Sequence, residues 1–488
     1  MVYNRDALRD NLRALLGAKG FSADPDELAP RLTDWRGRYH GKAGALLAPA
    51  GADEVAAVVR LCAAAGAPLV PQGGNTSMVG GATPDSSGDA FLLSTHRLNR
   101  IRSLDAGAGI AVCEAGVILA TLHEAALAVG RRFPLTLGAR GSATIGGLVS
   151  TNAGGTQVLR FGPMRSLVLG IEAVLPDGSL HEGLTALKKD NRGYDLRQLL
   201  IGAEGTLGIV TAASLQLVPA IGERAVAWVG LEAAPQAMKL LRYLEATMGD
   251  AIESFELVPA SAVDLVLAHV PGTRAPLAAP APWNALIEVV APMSAPSPEP
   301  LLYEGLRSAL ETGIVVDAAI AASEAQAGDF WRLRDSISEA EKKDGPAAKH
   351  DISVAVEAMA GFMTEAAATV EARFPGTRVN AFGHLGDGNV HFNVRAPAGA
   401  APAWVEEEGQ AVSRFVHDLV TAAGGSISAE HGIGQMKRAE LARLGEPARL
   451  HALRAIKAAL DPRNIMNPGK LVPSETDAES LAQSSVHQ

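Results

Sequence analysis

Cysteine is nearly missing from this sequence. Cys62 and Cys113 are the only two among 488 residues. They lie far apart and outside any Cys-x-x-Cys pair, which excludes a disulfide framework and a thiolate metal cage. Excess positive charge is missing too. The net charge of −10 argues against a nucleic-acid partner, because phosphate contacts need a basic surface, though a local basic pocket for a small anion stays open. No run of 18 or more apolar residues offers a membrane span. No apolar stretch follows Met1–Asp6, so no secretory signal is expected and a cytoplasmic location is the default.

What remains is ordinary globular composition, 48% hydrophobic and 20% charged. The length exceeds what one core organises, so two or more domains are expected. A helical leader fills 1–40. Strands and helices alternate over 41–220, with a helix at 54–65 capped by Asp53, strands at 68–70, 90–94, 110–114 and 167–175, and a tight turn at Asp177-Gly178. A second α+β domain with a largely antiparallel sheet covers 221–425, its strands including 314–318 and its last helix spanning 403–423. A segment at 426–475, rich in Pro and Asn near its end, folds back over the body, and 476–488 reads as a disordered tail.

Three glycine-rich segments stand out: Pro71-Gln72-Gly73-Gly74-Asn75-Thr76-Ser77, then Gly141-Ser142-Ala143-Thr144-Ile145-Gly146-Gly147 with Thr151-Asn152 after it, then Glu204-Gly205-Thr206-Leu207-Gly208-Ile209-Val210. Glycine lets the backbone approach a ligand, and successive N–H groups then converge on an anion such as a pyrophosphate. None of the three is a GxxxxGK[ST] loop or a strand-GxGxxG-helix unit. Together they resemble the FAD-binding domain of the vanillyl-alcohol oxidase type over roughly 41–220. That likeness implies that the first two segments cradle the pyrophosphate and that Ile209-Val210 runs along the adenosine. Some members bond the flavin to a His near the first loop. No His occurs at 71–94 or 102–119, so non-covalent FAD is expected.

The second constellation lies late in the chain. His384 and His391 flank a Gly-Asp-Gly-Asn turn, and Glu430-His431 follows among glycines. On a strand, His391 and Asn393 project from one face. Two imidazoles and a carboxylate with open positions suit a divalent metal, zinc first and manganese as the alternative. His384, His391, Asn393, Glu430 and His431 resemble the metal-and-substrate pattern of FAD-linked D-2-hydroxyacid dehydrogenases, and Asn467-Pro468-Gly469-Lys470 also fits, with Asn467 on the cofactor side and 426–475 packing back on the flavin domain. Around Trp331–Ser338 and Lys349 the likeness is to the members that act on D-2-hydroxyglutarate, with Ser338 standing where Thr is expected. It implies that Arg334, Ser338, Lys349, Asn393 and His431 bind the substrate, that His384, His391 and Glu430 hold the metal, and that His431 is the base.

The expected reaction is oxidation of D-2-hydroxyglutarate to 2-oxoglutarate, with hydride passing from C2 to flavin N5. D-lactate or glycolate is the alternative substrate; a metal-dependent hydrolase or an inert flavin-binding scaffold would be a different class. The electron acceptor is open between an electron-transfer flavoprotein and a quinone. A homodimer is the base-rate expectation.

Overall fold

The computed structural model describes residues 5–187, 189–474 and 477; apart from Asp477, the tail expected at 476–488 lies outside the described residues. The chain forms two compact units. The first takes the chain up to Gly154, then Gly162–Pro219, and resumes at His431; the second takes Gly155–Phe161 and Ala220–Glu430.

In the first unit, Leu8, Leu12 and Leu16 recur every fourth residue on the helix Arg5–Gly20, giving it one apolar stripe. That stripe packs with Val55, Val58, Val59 and Cys62 of the helix Ala52–Ala65, over Leu69, Phe91 and Leu93 of the neighbouring strands. The helix is capped by Gly51 rather than Asp53, which falls in its first turn, and it closes at Gly66 in the left-handed conformation (φ 69°). Leu69–Gln72 runs parallel to Phe91–Ser94. A five-stranded antiparallel sheet contains Ile101–Asp105, Ile110–Glu114, Ile209–Gln216, Val168–Val174 and Leu180–Gly183, in that spatial order. Ile465 and Met466 join the first core, and Met466 bridges to Leu69.

The second unit is built on a wholly antiparallel sheet of β1 (Ile221–Leu231), β2 (Ile252–Pro259), β3 (Trp283–Pro292), β4 (Asp317–Ile320), β5 (Ala347–Ser353), β6 (Arg378–His384) and β7 (Asn389–Arg395). Its spatial order is β4-β1-β3-β2-β6-β7-β5. The helices Ala260–His269, Glu324–Asp335 and Ile337–Asp344 bury Val266, Phe330, Leu333 and Ile337 against Val226, Trp228, Leu286 and Phe382 of the sheet. Element boundaries move from expectation here too. The strand placed at 314–318 forms at Asp317–Ile320, and the last helix starts at Glu408 after a 3-10 turn at Pro402–Val405. Among the described residues no helix is long and apolar enough to cross a membrane.

Candidate active site

In the first unit the strand Leu69–Gln72 empties into the first glycine loop, which lies directly against the second. A Cβ on Gly73 would sit 2.2 Å from Thr144 Oγ1, and one on Gly74 would sit 1.9 Å from the Ser142 carbonyl oxygen. Only glycine permits that crossing. Gln72 is pinned by its Nε2, which donates to the Arg31 and Ala82 carbonyls; Asn75, at φ 54°, donates to Thr33. Thr76 is half-buried, and Ser77 Oγ accepts from Gly81 N–H. The third segment closes on the first: a Cβ on Gly205 would lie 2.4 Å from Pro71 Cγ. Gly208 leads into Ile209 and Val210, which pair with Val174 and Ala173.

Several groups here are occupied locally. Thr151 Oγ1 donates to the Gly147 carbonyl within its own helix, and Asn152 Oδ1 accepts from Arg165 N–H. Gly146 is held against Ala115, where a Cβ would lie 2.6 Å from the Ala115 Cβ. Others lack partners: Thr144 Oγ1, Gln72 Oε1 and Asn467 Oδ1 are buried with no hydrogen-bond partner among the described residues, and Gly141 faces open space. Buried polar atoms are nearly always satisfied, so orphans around two touching glycine loops are what a polar cofactor would complete. The residues present fit FAD.

Asn467 is fixed by its other atom, with Nδ2 donating to the Gly81 and Glu204 carbonyls. Glu204 opens the third glycine segment. It is buried, with φ 51°, and it accepts from Ile433 N–H at 2.7 Å and Gly434 N–H at 2.8 Å. It thereby fixes the backbone two residues beyond His431. Burial pushes its carboxyl above the usual range, against those two N–H groups.

In the second unit β6 and β7 form the hairpin that carries both histidines, with His384 opposite Asn389 and Phe382 opposite His391. Gly388 (φ 80°) makes the turn, and a Cβ there would lie 2.1 Å from the Val354 carbonyl. Ser426 bridges to Ser353 at the end of β5, which brings the following residues alongside, and Asp351 accepts from Glu430 N–H at 3.0 Å. One ligand atom each from His384, His391 and Glu430 then falls within 4.8 Å of the other two. Such a donor set fits a divalent cation.

Beneath this cluster sits Glu256 on β2, 1% exposed. Its Oε1 lies 2.5 Å from His384 Nδ1, and its Oε2 accepts from Arg334 Nε at 2.7 Å. Burial opposes its charge, but Arg334 and His384 outweigh that and hold the carboxyl well below its usual range. Burial likewise works against a charged His384, yet Glu256 lifts it to about 9, while burial pushes Glu430 up to about 7. A metal ion binds the deprotonated forms, so it would favour loss of a proton from both groups.

Arg334 is nearly buried and stacks over the Phe382 ring, its guanidinium carbon 5.0 Å from the centroid. Only Nε is engaged by protein among the described residues, so both terminal amino groups remain for a ligand. Lys349 Nζ is 3.2 Å from Glu341 Oε2 and 3.4 Å from the Ser338 carbonyl; the Ser338 residue itself is exposed. Asn393, opposite Lys349 in the β5–β7 register, donates to the same Glu341 oxygen at 2.7 Å, and Asn380 donates to the other at 2.7 Å. Glu341 is wholly buried while the Lys349 side chain is 28% exposed, so the pair is closed off from solvent on one side only.

Glu256 and Glu341 were missed from sequence. Glu256 did leave a signal, because a carboxylate inside the apolar run Phe255–Val258 must be paired if the strand is buried on both faces. Glu341 left none: Glu339–Asp344 looks like any solvated helix face.

Residues 43–183 match the family described as FAD binding domain, and residues 222–471 match FAD linked oxidases, C-terminal domain. The mitochondrial D-2-hydroxyglutarate dehydrogenase of Bos taurus is 38% identical, over 92% of this chain and 81% of its own. The D-2-hydroxyglutarate dehydrogenase of Xanthomonas citri pv. viticola is 36% identical, over 94% of this chain and 96% of its own. p-Cresol methylhydroxylase, solved with substrate bound, shares the fold with a TM-score of 0.71 at 15% identity, covering 96% of this chain and 97% of that one. The α+β fold with a flavin domain of the vanillyl-alcohol oxidase type is thus as expected. With both halves of the chain matched and relatives of this identity along almost its whole length, the chain belongs to the FAD-linked oxidase family, among its FAD-dependent D-2-hydroxyacid dehydrogenases.

Proposed function

We propose that this protein oxidises D-2-hydroxyglutarate to 2-oxoglutarate with the help of a divalent metal, zinc or manganese, held by His384, His391 and Glu430. The observation that carries the reading is Arg334: its Nε is anchored on Glu256 while two amino groups stay open, the fork that a carboxylate takes. When bound, FAD supplies N5 as acceptor for the C2 hydride, and the metal acidifies the 2-hydroxyl. Arg334, Lys349, Ser338 and Asn393 hold the two carboxylates, and His431 takes the hydroxyl proton. Loss of that proton and of the hydride leaves the 2-oxo acid. The substrate names of the relatives agree with this reading.

Anaerobic flavin reduction tests it. We expect kcat/KM for D-2-hydroxyglutarate to exceed that for D-malate, D-lactate and glycolate by at least about tenfold, or ~1.4 kcal/mol in transition-state binding. A monocarboxylate leaves part of the polar pocket unpaired. A tenfold preference for D-lactate or glycolate would instead favour the shorter substrate with the same machinery.

Non-covalent FAD belongs to this reading and rests on the absence of His at 71–94 and 102–119. Acid precipitation should leave the flavin in the supernatant. A Gly74→Ala protein should purify with roughly tenfold less flavin, because its Cβ forces apart the two loops that form the cradle. Colour kept on the acid pellet overturns the non-covalent assignment. Further parts of the proposal are an electron-transfer flavoprotein or quinone as acceptor, a homodimer, and a cytoplasmic location in which the two free thiols stay reduced. Reoxidation with each acceptor, light scattering and cell fractionation address these in turn.

A further inference from the structure

We propose that Glu256 is a positioning residue that sets up the metal site and the substrate arginine at once, by fixing the tautomer of His384 with one oxygen and the guanidinium of Arg334 with the other. The inference rests on the metal and substrate reading given above. Glu256 lies opposite His384 in the β2–β6 register, so the backbone ladder itself delivers the carboxylate to the ring. An ionised carboxylate can only accept. At 2.5 Å from Nδ1 it therefore keeps the hydrogen on Nδ1 and leaves the Nε2 lone pair as the ligand atom. A histidine ligand oriented by a carboxylate in this way binds metal about 10–100-fold more tightly than one without it. The second oxygen accepts Arg334 Nε at 2.7 Å, and Phe382 supports the guanidinium from its face. One rigid, 1% exposed side chain on the central strand thus ties both halves of substrate capture to the sheet.

Glutamine at this position separates the two roles. Its amide oxygen can still accept from Arg334, but its NH2 group must donate to His384 Nδ1. That places the ring hydrogen on Nε2, where it blocks ligation. The test uses the full FAD-loaded chain, stripped of metal and titrated with Zn2+ and Mn2+ against a chelator. We expect E256Q to bind metal at least about tenfold more weakly than the parent. Flavin content and Tm should stay near parental values, and KM at saturating metal should remain within about threefold, because the arginine keeps its acceptor. E256A removes both bonds and should also raise KM about tenfold at saturating metal. Parental metal affinity in E256Q overturns the tautomer role, and a parental KM in E256A overturns the arginine role. A parent chain that binds neither metal sinks the metal reading itself, so the two failures are distinguishable.

Discussion

Replacing His391 by alanine is expected to lower kcat/KM by about three orders of magnitude, ~4 kcal/mol of transition-state stabilisation, and to lower bound metal in step. His384, His391 and Glu430 offer three ligand atoms within 4.8 Å of one another, and losing His391 leaves that set one imidazole short. Flavin content should not change, because the glycine loops belong to the other compact unit. Metal analysis and anaerobic single-turnover reduction on the same preparation check the prediction. Full activity in the variant after exhaustive chelation would make the histidines structural and leave the hydroxyl proton to be handled without a metal.

Arg334→Lys separates two roles that the geometry combines. An ammonium can neutralise Glu256, but it cannot also present a planar pair of donors to a carboxylate. We expect kcat/KM for D-2-hydroxyglutarate to fall by about a hundredfold, ~2.7 kcal/mol, mostly through KM. A drop in Tm with unchanged kcat/KM would show instead that Arg334 serves only to keep Glu256 charged inside the sheet.

The sequence carried the local signals well and the distant pairings poorly. Gly-Asp-Gly-Asn between two apolar alternations announced the β6–β7 hairpin, and the glycine segments announced loops that touch a ligand or one another. Both are features of a few adjacent residues. The partner of His384, by contrast, is Glu256, which is 128 positions away and becomes its neighbour only through the β2–β6 pairing. Lys349 and Asn393 look like free donors in sequence. In the structure they converge on Glu341, so any substrate carboxylate they meet competes with one already in place. Asp53 shows the same limit at small scale: a good capping residue yields to Gly51 when the chain enters the helix two residues earlier.

Glu204 has a bearing on how the protein is made. Its carboxylate is answered by N–H groups 229 and 230 positions further along, and Asn467, which grips its carbonyl, comes 263 positions later. While the ribosome is still translating the intervening unit, the glycine loops already exist but lack the strand-like cover at Leu69 and both donors for a carboxylate destined for the interior. Contacts of such long sequence separation form late and slowly. On the reading that these loops hold FAD, the cradle is finished only when the segment around Asn467 has emerged, and cofactor loading is expected among the last events in the maturation of the chain.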